Sequence, residues 1–213
     1  AGLGQHITEL RDQFVYNGEA FDVTAMRAMR EKQVRHLVTG GTFNAKYSPG
    51  GLVDIEYLIQ GLQITHGYQN PALRLTNVRA AMAAMASTGI LSPEVYTQLR
   101  KAHTFLQWLI DGLRIVRGNA KDLTVPPTDS EAFTFLARRL RYGNNTTRLH
   151  EDMIYYTSRV QELNTQLLID HTLPKSPISS IKEGAQSIAI SLGDGSETVS
   201  YTHLRAHETV LDL

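Results

Sequence analysis

Apolar residues recur at helical spacing along most of this chain. Residues 3–15 read as a short helix. Residues 21–38 form a second, with Asp22 near its start and basic residues in its second half, where they suit the helix macrodipole. Thr39-Gly-Gly-Thr42 interrupts the pattern. A third helix is predicted over 49–66, with Ser48 as N-cap and Pro49 in the first turn. Pro71 opens a fourth, running to about residue 88, with Leu75, Val78, Met82 and Met85 on its stripe and Gly89 suited to its end. Ser92-Pro93 starts a fifth, reaching about residue 118, with Val95, Leu99, Ala102, Leu106, Leu109, Leu113 and Val116 facing inward. Trp108 on that helix reads as a core or interface anchor. After a loop over 119–128, Asp129 or Ser130 caps a helix to Arg141. The last helix covers 148–168, with Leu149, Met153, Tyr156, Val160, Leu163 and Leu167 as its stripe. About six helices with short turns, following the first short one, predict an all-α bundle.

The third helix has unusual chemistry. At about 100° per residue, Leu52, Ile55, Ile59 and Leu62 cluster on one side, and Val53, Tyr57 and Ile64 nearly opposite. Two apolar faces predict a sandwiched helix, with Asp54 and Glu56 at its polar seams. Buried carboxylates need partners. Arg27, Arg30 and Arg35 on the preceding helix are candidates. Asp54 and Glu56 point about 200° apart, so they cannot clamp one metal between them. Gly50 and Gly51 cost helix propensity. In return they admit close approach by another backbone or by an anion.

Composition narrows the classes. Lys and Arg total 21 and Asp and Glu total 21, so no basic footprint for nucleic acid is present. The chain has no cysteine, which removes disulfides and thiolate metal sites and is compatible with a cytoplasmic location. No apolar run approaches the ~20 residues of a membrane span. The eight histidines are scattered singly, without metal-ligand spacing. No nucleophile with an orienting base is visible. Arg100, Lys101, Arg114 and Arg117 with Lys121 read as a solvated face or as an anion-facing strip.

Lys46-Tyr-Ser-Pro-Gly-Gly-Leu-Val-Asp-Ile-Glu-Tyr-Leu-Ile-Gln60 resembles the K-x-x-P/E-G-G-[IL]-x-[DE]-I-E-[FY]-x-x-Q signature of glutamine synthetase adenylyltransferases, the adenylyl-transferring and adenylyl-removing enzymes. Ala25-Met-Arg-Ala-Met-Arg30 upstream is similar to the family's E-[IM]-R-x-M-[RK] helix. Asn70-Pro-Ala-Leu-Arg74, Asn77-Val-Arg79, Gly89-Ile-Leu-Ser92, the run from Leu99 to Leu106 and Leu123-Thr-Val-Pro126 follow in the family's order. The resemblance covers residues 20–168. The chain departs from it around residues 111–127, where a polar stretch is replaced, and this leaves acceptor and reaction direction open.

The resemblance implies a helical domain over 20–170 that follows a nucleotidyltransferase domain. Residues 1–19 would be a remnant of that preceding domain. Lys46, Gly50, Gly51, Asp54, Glu56 and Gln60 are the family-motif positions, and by the same analogy Arg74, Arg79, Arg114 and Arg117 would neutralise Asp54 and Glu56. Lys46 and the Gly50-Gly51 turn would face the catalytic domain and help enclose nucleotide phosphates. The catalytic G-S-x-D-x-D motif does not occur, and the chain begins at Ala1 without a Met. A fragment without catalytic residues, inactive alone, is the expectation. The intact enzyme would use Mg²⁺ and ATP to move AMP to or from glutamine synthetase. A PII-type signal protein is a further implied partner, through the related uridylyltransferases. The alternatives are a helical interaction or regulatory module without chemistry, or the helical arm of a PII-type uridylyltransferase-like enzyme.

Residues 171–213 change character. Leu173-Pro-Lys-Ser-Pro reads as a linker, and a weak hairpin is expected around Gly193-Asp-Gly195. Residues 199–213 resemble a translated sequencing adapter, so this poorly structured tail is expected not to be native and to make few contacts with the bundle.

Overall fold

A computed structural model describes residues 2–19, 21–118 and 121–172, with side chains to residue 168. The expected linker, hairpin and tail lie outside these residues. Among them the chain forms seven α-helices and no β-strand, as the periodicity predicts. They are α1 (Leu3–Val15), α2 (Val23–Leu37), α3 (Leu52–Gly67), α4 (Val78–Ser87), α5 (Pro93–Arg117), α6 (Glu131–Arg139) and α7 (Thr146–Thr172). None of the described helices is long and apolar enough to cross a membrane.

Polar caps set most of the starts. Asp22, Asn77, Ser92 and Ser130 each accept a backbone N–H from the first turn of the helix they precede. Asn145 accepts from Arg148 N–H at the start of α7. Two starts differ from expectation. Pro71 opens only a 3-10 turn, Pro71–Leu73, and α4 begins later, at the Asn77 cap. Leu75 therefore falls between elements and is exposed. Ser48 does not cap α3, which starts at Leu52 with Gly51 as its N-cap residue.

The third helix is the sandwiched one. α4, α5 and α7 all pack on α3, and Ile55, Leu58, Ile59 and Leu62 have no exposed surface. α5 also meets α4, α6 and α7, burying Leu99, Leu106, Leu109 and Leu113. Trp108 is not in the core: it is 47% exposed. α1 buries no residue. Its Leu3, Ile7, Leu10 and Phe14 are all exposed, while Tyr16 beyond its end is buried against Gly67 and Asp12 pairs with Arg74 at 3.2 Å. Asp12 lies opposite the apolar stripe, so the helix is tied down by its polar side.

Candidate functional site

The segment between α2 and α3 is irregular, yet from Asn44 onward each of its backbone N–H groups is hydrogen-bonded. Asn44 forms a β-bridge with Thr124. Ala45 N–H donates to the Leu123 carbonyl at 3.0 Å, and Val125 N–H to that of Phe43 at 2.8 Å. Ser48 Oγ accepts from Asn44 N–H at 2.8 Å, closing the loop rather than capping the helix. Gly50 takes a left-handed φ of 76°. It lies so close to α7 that a Cβ would overlap the backbone of Thr157. The close approach that the glycine pair allows is thus to another backbone.

Asp54 joins this turn to α2. Its Oδ1 accepts from Arg30 Nε at 2.5 Å and its Oδ2 from Gly50 N–H at 2.6 Å. Arg30 Nη2 donates to the Ser48 carbonyl at 3.1 Å. Both side chains are nearly enclosed, 11% and 8% exposed. Arg30 Nη1 is buried without a partner. The amides of Gly51, Leu52, Val53 and Asp54 donate to the carbonyls of Ser48, Ala45, Lys46 and Gly51. No N–H of this helix start is left for an anion. The phosphate-enclosing part expected of Gly50 and Gly51 is therefore not available to them, because Asp54 and the loop carbonyls already hold the donors.

The other seam of α3 is open. Glu56 is half-buried, with no ion pair among the described residues. It faces a cavity of about 300 Å³ together with Lys46, Gln107, Asp111 and Arg114, floored by Leu52 and Ile110. Lys46 Nζ stands 5.2 Å from the centre of the Tyr47 ring. Gln60, one turn beyond Glu56, is exposed. The motif therefore divides. Gly50, Gly51 and Asp54 build the loop, whereas Lys46, Glu56 and Gln60 present side chains that the fold does not use.

Most of the candidate arginines go elsewhere. Only Arg30 reaches Asp54. Arg27 and Arg35 are exposed and form no ion pair among the described residues. Arg74 binds Asp12 and the Gly67 and Tyr68 carbonyls. Arg79 binds His103 and Gln107. Arg114 pairs with Asp111 at 3.0 Å, and Arg117 approaches Asp122 at 3.6 Å. Neither pair involves Asp54 or Glu56. The residues present do not fit Mg²⁺: among those described, no three His, Asp or Glu side chains come together, and Asp54 and Glu56 face opposite seams.

His103, read as an isolated histidine, is a buried acceptor for Arg79 Nε at 3.4 Å. Burial and then the Arg79 charge hold its pKa down to about 4. The unfolded chain takes up this proton near the ordinary 6.5, the folded chain only near 4. Stability is therefore complete above that upper value and falls as pH drops toward the lower one. The expected loss is on the order of 2 kcal/mol. Urea unfolding at stepped pH should show it, and His103→Gln should flatten the curve. Parallel curves would assign the loss to another group.

The family model described as GlnD PII-uridylyltransferase matches residues 24–168. Curated relatives carry the name bifunctional glutamine synthetase adenylyltransferase/adenylyl-removing enzyme. That of Streptomyces avermitilis is 35% identical over 147 residues, 66% of this chain and 14% of the relative. That of Streptomyces coelicolor is 32% identical over 67% of this chain and 15% of its own length. That of Mycobacterium bovis is 31% identical over 68% and 15%. The chain thus spans about 15% of the length of these relatives. With the matched residues running from α2 almost to the end of α7, the chain belongs to the GlnD PII-uridylyltransferase family, as the helical domain it shares with the glutamine synthetase adenylyltransferases.

Proposed function

We propose that residues 20–170 are the helical arm of a nucleotidyltransferase that moves AMP between ATP and glutamine synthetase. The catalytic domain, with its Mg²⁺ and nucleotide, would lie against the Lys46–Glu56–Gln60 face, and the arm would have no activity alone. The carrying observation is the unused half of the motif. Leaving a half-buried carboxylate such as Glu56 without a partner is unfavourable unless something else meets it. Lys46 and Arg114 beside it supply positive charge toward phosphate oxygens. The exposed apolar stripe of α1 supports assigning residues 1–19 to a preceding domain, which would cover it. A cytoplasmic location goes with this reading.

The description of the matching family model favours a second acceptor. A uridylyltransferase arm would serve transfer of UMP to a PII-type signal protein through the same face.

The test uses the full-length protein carrying Lys46→Ala or Glu56→Gln. Labelled Mg-ATP with glutamine synthetase, and labelled Mg-UTP with a PII-type protein, are assayed in parallel. Each variant is expected to lower kcat/KM at least ~10-fold, about 1.4 kcal/mol, with Tm unchanged. Wild-type kinetics in both variants would remove the face from the reaction. Labelling of the PII-type protein alone would select the second acceptor.

A further inference from the structure

We infer that the α5–α6 face around Trp108 is a docking surface for an acidic segment of a partner protein. The inference is independent of the nucleotidyl-transfer reading. Trp108, Asp111 and Ile115 succeed one another along one face of α5, and Phe135 and Arg139 are one turn apart on α6. Three large apolar side chains stand out here, Trp108 at 47% exposure, Ile115 at 57% and Phe135 at 49%. A cavity of about 240 Å³ opens between the helices, lined by Trp108, Asp111, Gly112, Arg139, Leu140 and Arg141.

The charge at this cavity is uncompensated. Arg139 and Arg141 are exposed, and neither guanidinium has a partner among the described residues. Asp111 is already engaged by Arg114. Arg141 also occupies a position that favours glycine. Its φ is 62°, and it closes α6 with its own N–H on the Arg138 carbonyl and Tyr142 N–H on that of Ala137. An arginine held there against its backbone preference places a cation at the cavity rim.

These features select the occupant. Tryptophan and arginine at a half-open cavity are the side chains that dominate protein interfaces. Two free guanidinium groups call for carboxylates. A second copy docking through the same patch would set arginines against arginines. The cavity is also smaller than the ~300–1,000 Å³ usual for small-molecule sites.

Trp108 is the only tryptophan, so its emission reports this surface in the full chain. The probe is a short synthetic peptide rich in Asp and Glu, with one Phe and one Leu. A saturable emission change is expected, weakening at least ~10-fold in Arg139→Ala and in Arg141→Gly, and weakening with added salt. Arg141→Gly should hold or raise Tm, which separates lost binding from lost folding. Unchanged affinity in both variants would overturn the proposal. So would equal binding of a Lys-rich counterpart, a response to Mg-ATP instead of the peptide, or a change that follows protein concentration alone.

Discussion

Gly50→Ala is expected to destabilise the chain by about 3 kcal/mol or more. Two effects add. A left-handed backbone costs an L-residue ~1–2 kcal/mol, and a Cβ at Gly50 would overlap the Thr157 backbone of α7. Overpacking of that kind costs typically ~1–3 kcal/mol, and here the obstacle is main chain, which cannot rotate away. Gly89 provides the control. It has the same φ of 76°, but a Cβ added there would meet no neighbour within 4 Å. Gly89→Ala should therefore lose only the conformational part, about 1 kcal/mol. Urea unfolding of both variants measures the difference. Equal losses would mean that α7 does not press on the loop.

Asp54→Ala should cost ~3–5 kcal/mol, because it strands a buried guanidinium and frees the Gly50 N–H. Arg30 already has one unsatisfied nitrogen, so nothing nearby is ready to replace the carboxylate. Arg30→Met should cost less, since the remaining carboxylate keeps the Gly50 bond. The double variant Arg30→Met, Asp54→Ala should be no worse than Asp54→Ala alone. That outcome in a double-mutant cycle locates the loss in the unpaired charge. Strict additivity would show that the two groups do not act as a pair.

Helix existence and inward faces are legible in the sequence because they depend on local spacing. The stripes of α5 and α7 and the caps at Asp22, Ser92 and Ser130 follow from neighbours in the chain. The start of α3 does not. Ser48-Pro49 has the form of a helix start, but the left-handed turn at Gly50 depends on α7, more than a hundred residues on. At Pro71 the cap that matters is Asn77, and the proline pulls the expected boundary too early. For Trp108 only the core half of the expectation is excluded. It lies about 200° from Leu106 on α5, away from the stripe, so periodicity places it outside while its bulk suggests the core. The seams of α3 are readable, but not their partners. Seven arginines are candidates for two carboxylates, and tertiary packing alone decides that Arg30 takes Asp54 and none takes Glu56.

The loop between α2 and α3 carries one more consequence. It holds the Leu123–Val125 strip by backbone bonds, α2 through Arg30 and α7 through Gly50. Such a segment cannot fray like an ordinary loop. Opening it requires three distant stretches of chain to separate together, so it belongs to the same cooperative unit as the core. A displacement of α2 would pull on the Ser48 carbonyl and on Asp54 through Arg30, with little slack to absorb it. The irregular segment therefore acts as a stiff joint.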